Sequence, residues 1–155
     1  MKILMVCLGN ICRSPLAEGI LRNKIEKHGL DVLVDSAGTG SWHVGEYPDM
    51  RAISVAKKFG IDISKLTGRQ FSADDFDAFD KIFVMDHDNH RDVAVLARHE
   101  TDLLKVDLLL NAGKPRSNRS VPDPYYGGED GFVEVFKQID KACDAIIAQL
   151  MKNHE

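Results

Sequence analysis

Apolar residues fall along this chain in two alternating patterns. Ile3-Leu4-Met5-Val6 is an unbroken apolar run of strand length, and Val32-Leu33-Val34 and Ile82-Phe83-Val84-Met85 repeat it. Such runs predict parallel strands covered on both faces, and Val106 to Leu110 adds a weaker fourth. Between them, apolar positions recur every three or four residues, the spacing of an amphipathic helix. The first helical stretch opens at Ser14-Pro15, read as cap and first helical residue, carries Leu16, Ile20 and Leu21, and stops at Gly29. A second covers Asp49 to Phe59 and ends at Gly60, and a third starts at Asp86 or Asp88 with Val93, Leu96 and Ala97 on one face. The longest runs from Gly131 to Met151, with Phe132, Val135, Phe136, Ile139, Cys143, Ile146, Ile147 and Leu150 on its apolar stripe.

Strand and helix alternate, so the chain predicts an α/β fold: one doubly wound domain over residues 1–155, a four-stranded parallel sheet with helices on both faces. Ligands of such sheets bind beyond the carboxyl ends of the strands. Two segments reach that edge, the loop after Val6 and the long irregular stretch from Asn111 to Gly128. The composition, 44 % hydrophobic and 28 % charged over 155 residues, is that of an ordinary globular chain. A net charge of -4 argues against a nucleic-acid partner, which calls for a basic surplus. No apolar run approaches the ~20 residues of a membrane helix, and the first is too short for a secretory signal, so a cytoplasmic protein without membrane insertion is expected. Three cysteines in a chain without an export signal fit free thiols better than a disulfide framework. Their reactivity becomes the question.

The first strand leads directly into Cys7-Leu8-Gly9-Asn10-Ile11-Cys12-Arg13-Ser14-Pro15. A short loop between strand and helix curls its main-chain N–H groups toward a common centre, where the helix N-terminus adds positive potential. This predicts a phosphate-binding loop with Leu8, Gly9, Asn10, Ile11 and Cys12 around the anion, Gly9 and Asn10 being residue types that tolerate the required backbone angles. Arg13 closes the ring with a planar fork suited to two phosphate oxygens. Cys7 sits at the base. Helix N-termini, cations and a hydrogen bond from Ser14 favour a thiolate there, and a thiolate facing a bound phosphoryl group is aligned for in-line attack through a cysteinyl-phosphate.

That chemistry needs a proton donor and then a base. Asp123, between Pro122 and Pro124, is the best candidate, because both prolines restrict its backbone. Tyr125 and Tyr126 follow it, and with Trp42 they can wall a flat aryl group, so an aryl phosphate is the implied substrate. No cofactor or metal enters: His87 and His90 lack a second pair at metal spacing, Gly38-Thr39-Gly40 lacks a third glycine, and Gly113-Lys114 continues into Pro115. Cys143 is assigned to the core, while for Cys12 a small buried hydrophobe and a redox partner both stand. Asp74, Asp75, Asp77 and Asp80 read as a solvated helical face, and Lys114, Arg116 and Arg119 as exposed loop charges.

Cys7-x5-Arg13-Ser14 followed by Pro15-Leu16-Ala17-Glu18, Asp35-Ser36-Ala37-Gly38 midway and Asp123-Pro124-Tyr125-Tyr126 late resembles the low-molecular-weight protein tyrosine phosphatases, over nearly the whole chain. The resemblance implies metal-independent hydrolysis of protein phosphotyrosine, with Cys7 as nucleophile, Arg13 as phosphate clamp and Asp123 as general acid and base. It also implies that Ser14 stabilises the thiolate, that Ser36 helps hold a strained Asn10, and that Trp42, Tyr125 and Tyr126 frame the pocket. Cys12 matches the second loop cysteine, which in the family traps an oxidised nucleophile as a reversible disulfide. Implied partners are phosphotyrosine-containing proteins and a tyrosine kinase of the same pathway. One departure stands out: Leu66 occupies a position where the family often has a histidine supporting the loop asparagine. Two competitors share the anion loop. An arsenate reductase of related fold needs a resolving cysteine pair, which Cys12 and Cys143 supply poorly, and leaves Asp123 without a task, while a complete nucleophile, clamp and acid set speaks against a non-catalytic phosphotyrosine-binding module.

Overall fold

Strands β1 (Lys2–Cys7), β2 (Leu33–Gly38), β3 (Lys81–Val84) and β4 (Val106–Leu108) lie in the order β2-β1-β3-β4, every pairing parallel, in a computed structural model that describes residues 1–153. The period-two geometry of a strand sends alternate residues of β1 to opposite faces. Ile3 and Met5 join one apolar cluster and Leu4 and Val6 the other, all four fully buried, which is why this strand is apolar throughout. Each such side chain contributes about 1.5–3 kcal/mol by leaving water.

The first cluster is covered by α1 (Arg13–Lys27), α2 (Met50–Lys58) and α6 (Glu129–Asn153), whose stripes supply Leu16, Ile20, Val55, Phe132 and Ile139. The second packs beneath α3 (Asp75–Ala78) and α4 (His87–Val95) through Phe76 and Val93, with α5 (Glu100–Leu104) leading into β4. The expected doubly wound sheet is therefore present. No helix among the described residues is long and apolar enough to cross a membrane. The winding order switches at β1, with β2 added on one side of it and β3 on the other, and the register pairs Cys7 with Gly38 and Val6 with Val84. The loops following Cys7 and Val84 thus flank one crevice at the carboxyl edge, the position where doubly wound sheets bind ligands.

Several local expectations are corrected. α1 begins at Arg13, one residue before Ser14, and has no side-chain cap at Cys12, so Ser14 does not cap the helix. Its hydroxyl is engaged by the Cys7 sulfur instead. Leu33 is 61 % exposed because β2 is an edge strand, so the Val32–Val34 run is not covered on both faces. α4 stops at Val95 and leaves Leu96 43 % exposed, removing it from the stripe shared by Val93 and Ala97. β4 ends at Leu108, and the rest of its apolar run forms a 3-10 turn, Leu109–Ala112. Asp75 is buried beneath Arg69 and is not part of a solvated face, although Asp74, Asp77 and Asp80 are at least partly accessible.

Candidate active site

Immediately after β1 the chain turns so tightly that Asn10 adopts φ 58°, a left-handed conformation that costs a non-glycine residue energy and persists only where contacts enforce it. Those contacts are explicit. The Asn10 side-chain amide donates to Ser14 Oγ at 2.8 Å and to Ser36 Oγ at 3.0 Å, while its carbonyl oxygen accepts from the Arg69 main-chain N–H at 3.0 Å. With the turn held, the Asn10 N–H points at Cys7 Sγ, 3.3 Å away, and Ser14 Oγ lies 3.0 Å from the same sulfur. Among the described residues, the main-chain amides of Leu8, Gly9, Ile11, Cys12, Arg13 and Ser14 donate to no carbonyl or side chain. Amides gathered at a helix N-terminus without internal acceptors are the ready donors of a tetrahedral oxyanion site.

Arg13 is buried, and its Nη1 donates to Asp86 Oδ2 at 2.6 Å and to the Val121 carbonyl at 2.9 Å. Burial opposes the guanidinium charge, but Cys7 and the hydrogen-bonded Asp86 outweigh it, so its affinity for the proton rises above the ordinary arginine value. Asp86 caps α4 through the Asn89 N–H and is one of the two helix starts read from the sequence, but its place in the site was not read there. Its position after β3 at the switch point was the signal available. Asp123 Oδ2 stands 3.7 Å from Arg13 Nη2, and Asp123 Oδ1 accepts from the Tyr125 N–H at 3.0 Å.

These groups surround a pocket of about 260 Å³ lined by Cys7, Leu8, Gly9, Ile11, Cys12, Arg13, Trp42, His43, Asp123, Tyr125 and Tyr126. All candidate residues therefore meet at one place, with Asn10, Ser14 and Ser36 behind the wall. His43 is the lining residue the sequence reading missed. Trp42 (71 % exposed) and Tyr126 (94 %) form the rim and Tyr125 (39 %) a deeper wall, the two tyrosine rings meeting edge to face at 5.0 Å. Trp42 lies directly over Gly40, where any side chain would collide with its ring.

A loop built around a buried thiol and arginine, with an aspartate and two tyrosines across the pocket, invites comparison with known proteins. The family model described as low molecular weight phosphotyrosine protein phosphatase matches residues 2–155. The chain belongs to that family. Among its relatives, the low molecular weight phosphotyrosine protein phosphatase of Schizosaccharomyces pombe is 45 % identical over 89 % of each chain. A putative low molecular weight protein-tyrosine-phosphatase of Synechocystis is 42 % identical over 98 % of each. The crystal structure of a protein tyrosine phosphatase from Entamoeba histolytica superposes with a TM-score of 0.92 at 38 % identity, covering 100 % of this chain and 99 % of that one.

Behind the phosphatase loop runs a hydrogen-bonded chain. Ser36 Oγ accepts from Asn10 and donates to Glu18 Oε1 at 2.6 Å, and Arg22 Nη2 donates to the other Glu18 oxygen and to the Val34 carbonyl at 2.8 Å. Burial raises the Glu18 carboxyl's proton affinity, against the opposing effects of Ser36 and Arg22. Leu66 packs against the α1-side core, and Arg69 supplies the third contact to Asn10 through its main chain. The Arg69 guanidinium is itself fixed by Asp35 and Asp75.

The three cysteines of this phosphatase are free thiols. Burial, then the charges of Asp49 and Cys7, push the Cys12 thiol above its ordinary range, and burial does the same to Cys143 inside the α6 core. Cys143 has no route to the pocket, so the relay of cysteines that a reductase needs is not assembled. Lys114, Arg116 and Arg119 are exposed, and His87 is held by the Asn118 carbonyl at 2.9 Å.

Proposed function

We propose that residues 1–155 act as one protein-tyrosine phosphatase domain, in which Cys7 is the nucleophile, Arg13 the phosphate clamp and Asp123 the general acid and base. The observation that carries this reading is the convergence of Cys7, Arg13 and Asp123 on one aromatic-rimmed pocket behind a loop of free amides. The phosphoryl oxygens are bound by the free amides between Leu8 and Ser14, that of Asn10 being turned to the sulfur, and by the Arg13 fork, which neutralise charge that spreads onto them in the transition state. The substrate ring lies against Tyr125 with Trp42 and Tyr126 at the rim, and Leu8, Gly9, Ile11 and Cys12 complete the wall.

In the first step the Cys7 thiolate attacks phosphorus in line with the ester oxygen. The S–P bond forms as the P–O bond breaks, and the protonated Asp123 carboxyl passes its proton to the departing phenolic oxygen. In the second step the Asp123 carboxylate takes a proton from water as the water oxygen attacks phosphorus, releasing phosphate and restoring the thiolate. Ser14 and the Asn10 N–H supply hydrogen bonds to the sulfur in its ionised form, and Ser36 acts through Asn10. Free thiols support a cytoplasmic site of action, and phosphotyrosine-containing proteins are the proposed substrates, with a tyrosine kinase of the same pathway as a further partner.

Cys7→Ser is expected to abolish turnover of an aryl phosphate while vanadate still binds. Undiminished turnover removes the thiolate nucleophile. Asp123→Ala is expected to lower kcat/KM about 10²- to 10⁴-fold and to erase the limb of the pH profile that requires a protonated acid. A profile identical to the parent's reassigns the acid.

A further inference from the structure

Arg51, on α2, is not among the residues lining the pocket, yet its guanidinium is heavily engaged with the acid-loop region. Its Nη1 donates to the Gly127 carbonyl at 2.9 Å and its Nη2 to the Tyr125 carbonyl at 2.8 Å. Its other face is gripped by Asp49, with Nε 3.0 Å from Oδ1 and Nη2 3.0 Å from Oδ2, and Asp49 Oδ1 also accepts from the Arg51 N–H at 2.8 Å. The hydrogen bonds from Arg51 hold the Asp49 carboxyl below its ordinary range. The guanidinium also stacks over the Phe132 ring at 4.6 Å and near the Tyr125 ring at 5.6 Å.

Asp49 is tied in turn to the phosphate loop, because its N–H donates to the Ile11 carbonyl at 2.8 Å. At the far end, the Tyr125 N–H donates to Asp123 Oδ1 at 3.0 Å. A continuous path therefore runs from the phosphate loop through Asp49 and Arg51 to Tyr125, and from Tyr125 to the Asp123 carboxyl. The segment it restrains, residues 113–128, has no regular secondary structure of its own, so its main-chain carbonyls need outside donors.

We propose that Arg51, fixed by Asp49, is a positioning residue that sets the distance and direction of the Asp123 carboxyl relative to the phosphate loop. The inference rests on the reading of Asp123 as general acid. A planar fork reaching two carbonyls while braced by a carboxylate is a task for arginine, since a lysine ammonium carries all three of its donors on a single nitrogen. An acid displaced by about 1 Å loses up to about 10²-fold in rate, and the loss falls on the step that needs its proton.

The test uses leaving groups of different basicity. Phenyl phosphate needs a proton on its departing oxygen, whereas 2,4-dinitrophenyl phosphate leaves as a stable anion. Arg51→Ala is expected to lower kcat/KM for phenyl phosphate at least about tenfold more than for 2,4-dinitrophenyl phosphate. Arg51→Lys should show a smaller discrimination, and the double variant Arg51→Ala/Asp123→Asn no more loss than Asp123→Asn alone. Equal losses on both substrates, or full additivity in the double variant, overturn the positioning role. If Arg51→Ala fails to fold, Asp49→Asn and Arg51→Lys carry the same measurement. Asp123→Asn serves as control: if it does not discriminate between the two substrates, the general-acid reading fails; if it does and the Arg51 variants do not, only the present inference fails.

Discussion

Asn10 is a single residue on which the phosphate loop depends, because its left-handed backbone angle is maintained by three side-chain hydrogen bonds to Ser14, Ser36 and the Arg69 amide. An alanine there keeps the strain and deletes the bonds. Asn10→Ala is therefore expected to relax the loop, lower kcat/KM about tenfold or more, and weaken inhibition by inorganic phosphate to a similar degree. Ser36→Ala removes one of the three bonds and should cost less. Steady-state kinetics on both variants check the order, and a Ser36→Ala loss exceeding that of Asn10→Ala contradicts it. The contrast between Ser14 and Ser36 is instructive: the first was legible from its neighbours in the chain, the second only through resemblance, since the contact that gives it a role lies 26 residues away.

At the scale of elements, the end of β2 is the surface on which the phosphate loop rests. The Gly38 N–H and carbonyl bind the segment carrying Arg69 and Phe71, and a Cβ added to Gly38 would stand 2.8 Å from the Leu8 carbonyl oxygen and 3.1 Å from Asn10. Backbone cannot yield as a flexible side chain can. Gly38→Ala is expected to destabilise the protein by about 1–3 kcal/mol and to reduce turnover together with stability, because the same displacement strains the sheet end and opens the loop. Thermal unfolding and aryl phosphate hydrolysis read the two effects, and an unchanged melting temperature argues against this packing. The elements themselves were readable from apolar spacing where they are long. Short α5 escaped, and α3 was read only as an acidic helical face, because four or five residues complete barely one turn and leave no apolar periodicity to detect.

Across the whole molecule, ion pairs join segments that the apolar clusters leave at the surface of the β3–β4 side. Arg98 donates to Asp77 of α3 at 2.9 and 2.8 Å and to Asp102 of α5 at 3.0 Å. The hydrogen bonds from Arg98 pull the Asp102 carboxyl from its ordinary 3.8 down to about 2. A carboxyl depressed in the folded state contributes stability that is present above the unfolded value and lost as pH falls through the folded one. The difference in urea midpoint between parent and Asp102→Asn is therefore expected to be full near neutral pH and to shrink between roughly pH 4 and pH 2. A difference that stays constant over that range assigns Asp102 a role independent of its charge.

Apolar periodicity is a local property, so the alternation of strand and helix, the parallel sheet and the strand-to-helix loop carrying Cys7 and Arg13 follow from the chain read end to end. The nucleophile and its clamp are seven positions apart counting both, and their chemistry needs nothing distant to be recognised. Strand order and register decided the rest. They bring Asp86 under Arg13, set Glu18 behind Ser36 and stretch Asp49 and Arg51 between the two loops. None of these pairings leaves a local signature, because a contact between residues far apart in the chain arises only once the sheet has set their positions in space.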